Sequence, residues 1–175
     1  MPLVLVTGPS GAGKSTVGAE LRRRGHPSYD TDLDGLSRWY LGDREVAPPG
    51  PAADDRWYAE HVLRLPLETV RRIAAAHSQE LAFVCGTVGN EGEIWDLFDA
   101  VVSLSLDEAT IRRRLATRAP GSFGSTPDDV RRVLGWAATI DEDNARYGAL
   151  LVDASGPVEQ VAELILGGLR ARGLG

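Results

Sequence analysis

The chain is almost without lysine. Lys14 is the only one among nineteen basic side chains, and the other eighteen are arginines. Cysteine is equally scarce. With Cys85 alone there is no disulfide framework and no multi-cysteine metal site, and its place in an apolar run, 81–85, reads as a buried core thiol. No apolar run approaches the ~18 residues of a membrane span. The apolar stretch at the N-terminus is too short for a signal peptide, so a cytoplasmic protein without membrane partners is expected. Excess positive charge is also missing. A net charge of −6 argues against nucleic-acid partners, whose binding relies on neutralising many phosphates. What remains is ordinary: 175 residues, 43% hydrophobic and 25% charged, which suits one domain over 1–175, as a monomer or homodimer.

The lone lysine has a definite setting. It lies in Gly8-Pro9-Ser10-Gly11-Ala12-Gly13-Lys14-Ser15-Thr16, which fits the phosphate-binding pattern G-x-x-x-x-G-K-[ST]. An apolar run, Leu3–Thr7, enters the loop and a helix-like segment leaves it. Backbone N–H groups of residues 10–15 would form an anion nest at a helix N-terminus, wrapped by Gly8, Gly11, Ala12 and Gly13. Lys14 would reach the β- and γ-phosphates and Ser15 would ligate Mg²⁺. A compact ammonium can follow a transferring phosphoryl group, whereas a planar guanidinium would crowd the loop. ATP and Mg²⁺ are the expected cofactors.

Strand-like runs alternate with helical patterns along the whole chain, the signature of an α/β protein with a parallel sheet covered by helices. Strands are expected at 3–7, 28–31, 81–85, 100–106 and 150–152. Helices are expected from 13 through 21 with a stop at Gly25, at 107–117, from the Thr126-Pro127 cap onward, and after Gly156-Pro157. Residues 33–47 read as helical at first, Pro48-Pro49-Gly50-Pro51 as a loop, and 54–76 as one long helix carrying His61 and His77. The segment 118–125 is small, Gly-rich and without periodicity, which suits a mobile cover.

Tyr29-Asp30-Thr31-Asp32 ends the second strand, sixteen residues after Lys14. Strand ends of an open parallel sheet face the ligand crevice, and residues two apart in an extended stretch point the same way. One carboxylate can then hold the Mg²⁺ shell while the other accepts a proton from an attacking hydroxyl. Ordinary turn chemistry is the competing reading. Trp39, Tyr40, Trp57 and Tyr58 lie in the presumed acceptor region, either stacking on a substrate or covering a small core.

The loop followed by Asp30-Thr31-Asp32 resembles the shikimate kinase and gluconate kinase branch of small P-loop kinases, and more broadly the adenylate-kinase-like enzymes. The resemblance implies a three-layer sandwich with a five-stranded parallel sheet, helices on both faces and a lid after strand four. It implies an acceptor-binding segment at about 33–76 and a lid at about 118–126. It further implies that Asp30 supports Mg²⁺ and that Asp32 contacts the acceptor as catalytic base. Arg114-Leu115-Ala116-Thr117-Arg118 is similar to the R-x-x-x-R at the lid entrance of nucleotide kinases, where the first arginine packs on adenine and the second reaches the phosphates. Asp153 and Ser155 lie in a stretch that resembles the loop framing adenine. Two features depart from shikimate kinases and argue against shikimate as acceptor. No arginine precedes Arg146 in the stretch 136–143, and a glycine triplet is replaced by Cys85-Gly86-Thr87-Val88-Gly89-Asn90. Gly86, Thr87 and Asn90 follow a strand end and are candidate acceptor contacts together with Trp57.

The reading that results is an ATP-dependent phosphotransferase acting on a small molecule or nucleotide. A regulatory GTPase is countered by its need for a second lysine in N-K-x-D, although Asp32-Leu33-Asp34-Gly35 fits D-x-x-G. A nucleotide-binding regulatory ATPase without a small-molecule acceptor is the alternative.

Overall fold

The computed structural model describes residues 2–50 and 53–175. Strand β1 (Leu3–Thr7) is buried along its whole length and gives way through the loop to helix α1 (Lys14–Arg23). Strand β2 (Ser28–Asp30) follows, then β3 (Arg38–Leu41), β4 (Arg44–Val46), α2 (Asp55–Glu60) and β5 (His61–Arg64). Helix α3 (Leu67–Ala76), β6 (Ala82–Cys85), the short α4 (Glu91–Ile94), β7 (Ala100–Ser105) and α5 (Glu108–Leu115) come next. Helix α6 (Pro127–Arg146), β8 (Leu150–Asp153) and α7 (Val158–Ala171) complete the chain.

Among the described residues, five strands form a parallel sheet in the order β2-β6-β1-β7-β8. Successive side chains of a strand point to opposite faces, and here each face has its own core. Val4 and Val6 join Phe83, Cys85, Val102 and Leu104 beneath α1 and α7. Leu3 and Leu5 join Ala82, Val84 and Val101 on the side of α3 and α4. Each fully buried valine or leucine stabilises the sheet by about 1.5–3 kcal/mol. The expected three-layer sandwich is therefore present. Cys85 is a core thiol, and burial pushes its pKa up to about 12. No helix among the described residues is long and apolar enough to cross a membrane.

The region between β2 and β6 departs from expectation. Residues 33–47 hold no helix; β3 and β4 form a hairpin there, and β5 adds to β3, giving a three-stranded antiparallel sheet in the order β4-β3-β5. The expected helix at 54–76 is broken into α2, β5 and α3. Aromatic and β-branched residues (Trp39, Tyr40, Val62) favour extended backbone. Pro66, with φ −60 and ψ 136, drives its predecessor toward extended geometry and then starts α3. His61 therefore lies in a strand and His77 caps α3, rather than the two sharing a helix. Pro51, the last residue of the expected loop, lies outside the described residues. The cap at the start of α6 is as expected: Thr126 Oγ1 accepts from the Asp129 amide at 3.1 Å, with Pro127 in the first helical position.

Candidate active site

The loop after β1 is shaped by close backbone approach. At Gly8, φ is +135, and an added Cβ would sit 2.6 Å from the Leu104 carbonyl oxygen, so only glycine fits. Gly13, left-handed at φ 89, caps α1 without a side chain, and the first turn of α1 holds no acidic residue. The unpaired amides of that turn are thus left to an anion. Lys14 folds back across the loop and donates to the carbonyls of Gly8 at 2.8 Å and Pro9 at 2.9 Å. Loss of solvent around the ammonium brings its pKa down to about 8, while the charges of Glu91 and Asp32 oppose the shift.

Three carboxylates stand near this lysine. Asp30 is buried at the end of β2, where its Oδ1 accepts from the amides of Asp32 (2.9 Å) and Leu33 (2.8 Å). The turn chemistry is therefore present, because Asp30 holds the turn that carries Asp32. Asp32 is exposed and accepts from Ser37 Oγ at 3.1 Å. Glu91 was not singled out from sequence. It accepts from Thr7 Oγ1 at 2.6 Å and from the Val88 amide at 3.3 Å, and desolvation raises its pKa. Nothing local marks it, since an acidic residue in a helix first turn is commonplace.

A cleft of ≈ 620 Å³ joins the phosphate loop, from Ser10 to Val17, to Asp32, Arg114, Arg118, Phe123, Ala154 and Gly156. The i,i+4 spacing of the arginines does place both on one face of their segment. Their partners are protein carbonyls. Arg114 donates to Gly11 (3.2 Å) and Ala154 (2.7 Å), which ties the phosphate loop to the turn after β8. Arg118 donates to the Phe123 carbonyl, and partial burial lowers its pKa. Asp153 and Ser155 do not line the cleft. Asp153 Oδ1 accepts from the Ser155 amide at 2.8 Å, a turn contact, while the neighbours Ala154 and Gly156 face the cleft.

The remaining candidates are largely occupied. Thr87 donates to the Gly8 carbonyl at 2.6 Å and so braces the phosphate loop. At Gly86 an added Cβ would lie 1.9 Å from Thr31 Oγ1, so its role is to let β2 and β6 approach. Asn90 is buried with both ends of its amide spent on Leu65, accepting from its N–H at 2.9 Å and donating to its carbonyl at 3.1 Å. This corrects its assignment as an acceptor contact: it clips the end of β5 to the core. Trp57 stacks on His61 at 4.1 Å and meets Trp39 edge-on at 4.8 Å, so these rings cover one another. Among the described residues no group of three or more His, Cys, Asp or Glu could hold a metal ion by itself.

Residues 4–122 match the AAA domain family model. No curated protein matches the sequence. The fold is similar to that of a gluconokinase from Sinorhizobium meliloti, at TM-score 0.57 and 22% identity over 98% of this chain and 93% of that one. A shikimate kinase from Acinetobacter baumannii in complex with shikimate aligns at TM-score 0.62 and 17% identity, covering 100% and 96%. A deoxyadenosine kinase from M. mycoides with bound dATP aligns at TM-score 0.53 and 16% identity, covering 97% and 100%.

Proposed function

The chain belongs to the AAA domain family and has the fold of the small P-loop kinases, and from that premise we propose that it transfers the γ-phosphate of Mg-ATP to a hydroxyl or phosphate of a small molecule or nucleotide. The observation that carries this reading is a single cleft in which a phosphate loop, a lysine, a strand-end aspartate and two lid-entrance arginines converge. Lys14 leaves the Gly8 and Pro9 carbonyls for the phosphates and neutralises charge on the transferring group. Asp32, exposed at the cleft and steadied by Ser37, takes the proton of the attacking hydroxyl. Arg118 adds charge from the lid, and Arg114 keeps the loop and the turn after β8 in register.

The residues present suit Mg²⁺ carried by nucleotide. Magnesium keeps several waters and takes one or two protein ligands besides phosphate oxygens, which agrees with a hydroxyl at Ser15, a carboxylate at Asp30 and no wholly protein-built cage among the described residues. When bound, the ion would neutralise the β- and γ-oxygens. The acceptor segment is about 33–76 and the lid about 118–126.

The names of the structural relatives span three different acceptors, so the test has to be wide. ATP and Mg²⁺ are incubated with panels of sugars, nucleosides, nucleotides and aminocyclitols, and ADP release is compared with and without each. Acceptor-dependent release that Lys14→Ala removes supports a kinase. ATP hydrolysis indifferent to every acceptor would instead identify a regulatory ATPase.

A further inference from the structure

Behind the lid lies a second cavity of ≈ 670 Å³, between α5 and the N-terminal half of α6. That volume falls within the ≈ 300–1,000 Å³ common for small-molecule sites. Leu115, Val130 and Leu134 give it an apolar floor, while Arg112, Arg118 and Arg131 face a single acid, Glu108. The three cations are not equivalent. Arg112 is paired with Glu108 at 2.7 Å, and Arg131 with Asp128 at 2.6 Å and Asp55 at 3.0 Å. Among the described residues, Arg118 has no carboxylate partner. Its guanidinium holds only the Phe123 carbonyl and is partly withdrawn from water. It also lines the nucleotide cleft, so one under-neutralised cation stands between two cavities.

We propose that the lid-side cavity binds a small amphipathic anion, its apolar body on Leu115, Val130 and Leu134 and its carboxylate, phosphate or sulfonate on Arg118, and that this ligand weakens nucleotide binding by drawing on the same guanidinium. A half-buried cation without a counter-charge favours an anion from either side. Two anions at once must share one guanidinium and repel each other across it. Linkage makes the effect reciprocal: nucleotide weakens the lid-side ligand by the factor by which that ligand weakens nucleotide.

Gly135 supplies the test. It lines the cavity from α6, and a Cβ built on it meets nothing within 4 Å. Gly135→Leu should therefore fill the cavity, and leucine is a much better helix former than glycine, so the helix should be retained. The probe is 8-anilinonaphthalene-1-sulfonate, an amphipathic anion whose emission rises in apolar surroundings. It is titrated into the folded wild type, Gly135→Leu and Arg118→Ala, with and without a saturating non-hydrolysable Mg-ATP analogue. Wild type should bind the probe, and the analogue should raise its Kd about fivefold or more. Gly135→Leu should raise that Kd about tenfold or more while nucleotide affinity stays the same. In Arg118→Ala the nucleotide should no longer change probe affinity. Displacement by the analogue that is indifferent to Gly135→Leu would place the probe in the nucleotide cleft and overturn the proposal. Equal probe affinity with and without nucleotide overturns it as well. Should Gly135→Leu fail to fold, Arg112→Glu decides, because unchanged probe affinity with the rim charge reversed is incompatible with the site. These readouts are of binding, so they stand apart from whether any acceptor is phosphorylated.

Discussion

Two parts of the molecule are built in opposite ways. The nucleotide half grows from the centre of a parallel sheet, where all five residues of β1 are buried and β6 and β7 flank it. The other half, the segment proposed for the acceptor, is an antiparallel outgrowth whose strands β3, β4 and β5 contain no fully buried residue. It is held by mutual ring contacts, by ion pairs from Asp55 to Arg131 and Arg132, and by the Asn90 clip. Exposed pairs of that kind each contribute only ~0–1 kcal/mol. One half is thus preorganised for phosphate, which never varies. Under the proposed function, the other can be recut for a different acceptor without disturbing the phosphate chemistry.

The contrast is broken most severely at Lys14. Lys14→Ala should lower kcat by on the order of 10³-fold or more with the melting temperature intact, since preorganised charge near the transferring group is lost. Lys14→Arg should fail nearly as badly because the guanidinium does not fit the loop. Near-normal turnover by either would end the assignment. Next comes the boundary between the halves. Asp32→Asn should lower kcat by ~10²–10⁴-fold. Asp30→Asn retains an Oδ1 to accept from the Asp32 and Leu33 amides, so it should keep the turn and chiefly raise the Mg²⁺ requirement. Titrating Mg²⁺ against rate separates the two; equal, mild effects would leave both as turn residues.

The same contrast explains what could be read in advance. The parallel sheet announces itself through runs such as Leu3–Thr7, and the phosphate loop through fixed residue types. The outgrowth does neither, because strands covered partly on both faces lack clean alternation. Asp54 to Ala76 therefore reads as one helix, although Pro66 marks the break. Arg114 illustrates a different loss: the resemblance to R-x-x-x-R implied a place at the nucleotide, but only the fold reveals that its donors go to the Gly11 and Ala154 carbonyls. Glu91 depends on a contact to Thr7 across 84 positions of chain, which no local pattern encodes.

A smaller effect sharpens the comparison by titration. Desolvation holds the Lys14 ammonium to about 8 in the ligand-free protein, and bound phosphates would raise that value. Free protein thus carries the charge below pH 8 and loses it above, while the complex retains it to higher pH. Nucleotide affinity should be flat below about pH 8 and fall toward tenfold per pH unit above it. Glu91→Gln removes the largest charge acting to raise the value, so the fall should begin at lower pH. Calorimetric titration from about pH 7 to about pH 10 checks both; a level profile would mean that Lys14 does not contact the phosphates.

The smallest effect on chemistry is expected at the clip. Asn90→Ala leaves the buried N–H and carbonyl of Leu65 without partners, at a cost of about 2 kcal/mol. In a chain of this length that corresponds to a melting temperature lower by roughly 4–8 °C. If Asn90 fastens the outgrowth, the KM for the acceptor should rise severalfold while that for ATP changes less: Leu65 shares the core with Leu3 and Leu5 of β1, but Asn90 spends its amide on Leu65 and not on the phosphate loop. Asn90→Asp keeps an oxygen for the Leu65 amide but cannot donate to its carbonyl when ionised, so it should fall between wild type and alanine. A residue that touched the acceptor directly would behave otherwise, losing acceptor affinity at an unaltered melting temperature. Melting curves and the two KM values, taken on the same preparations, therefore decide between a fastener and a contact.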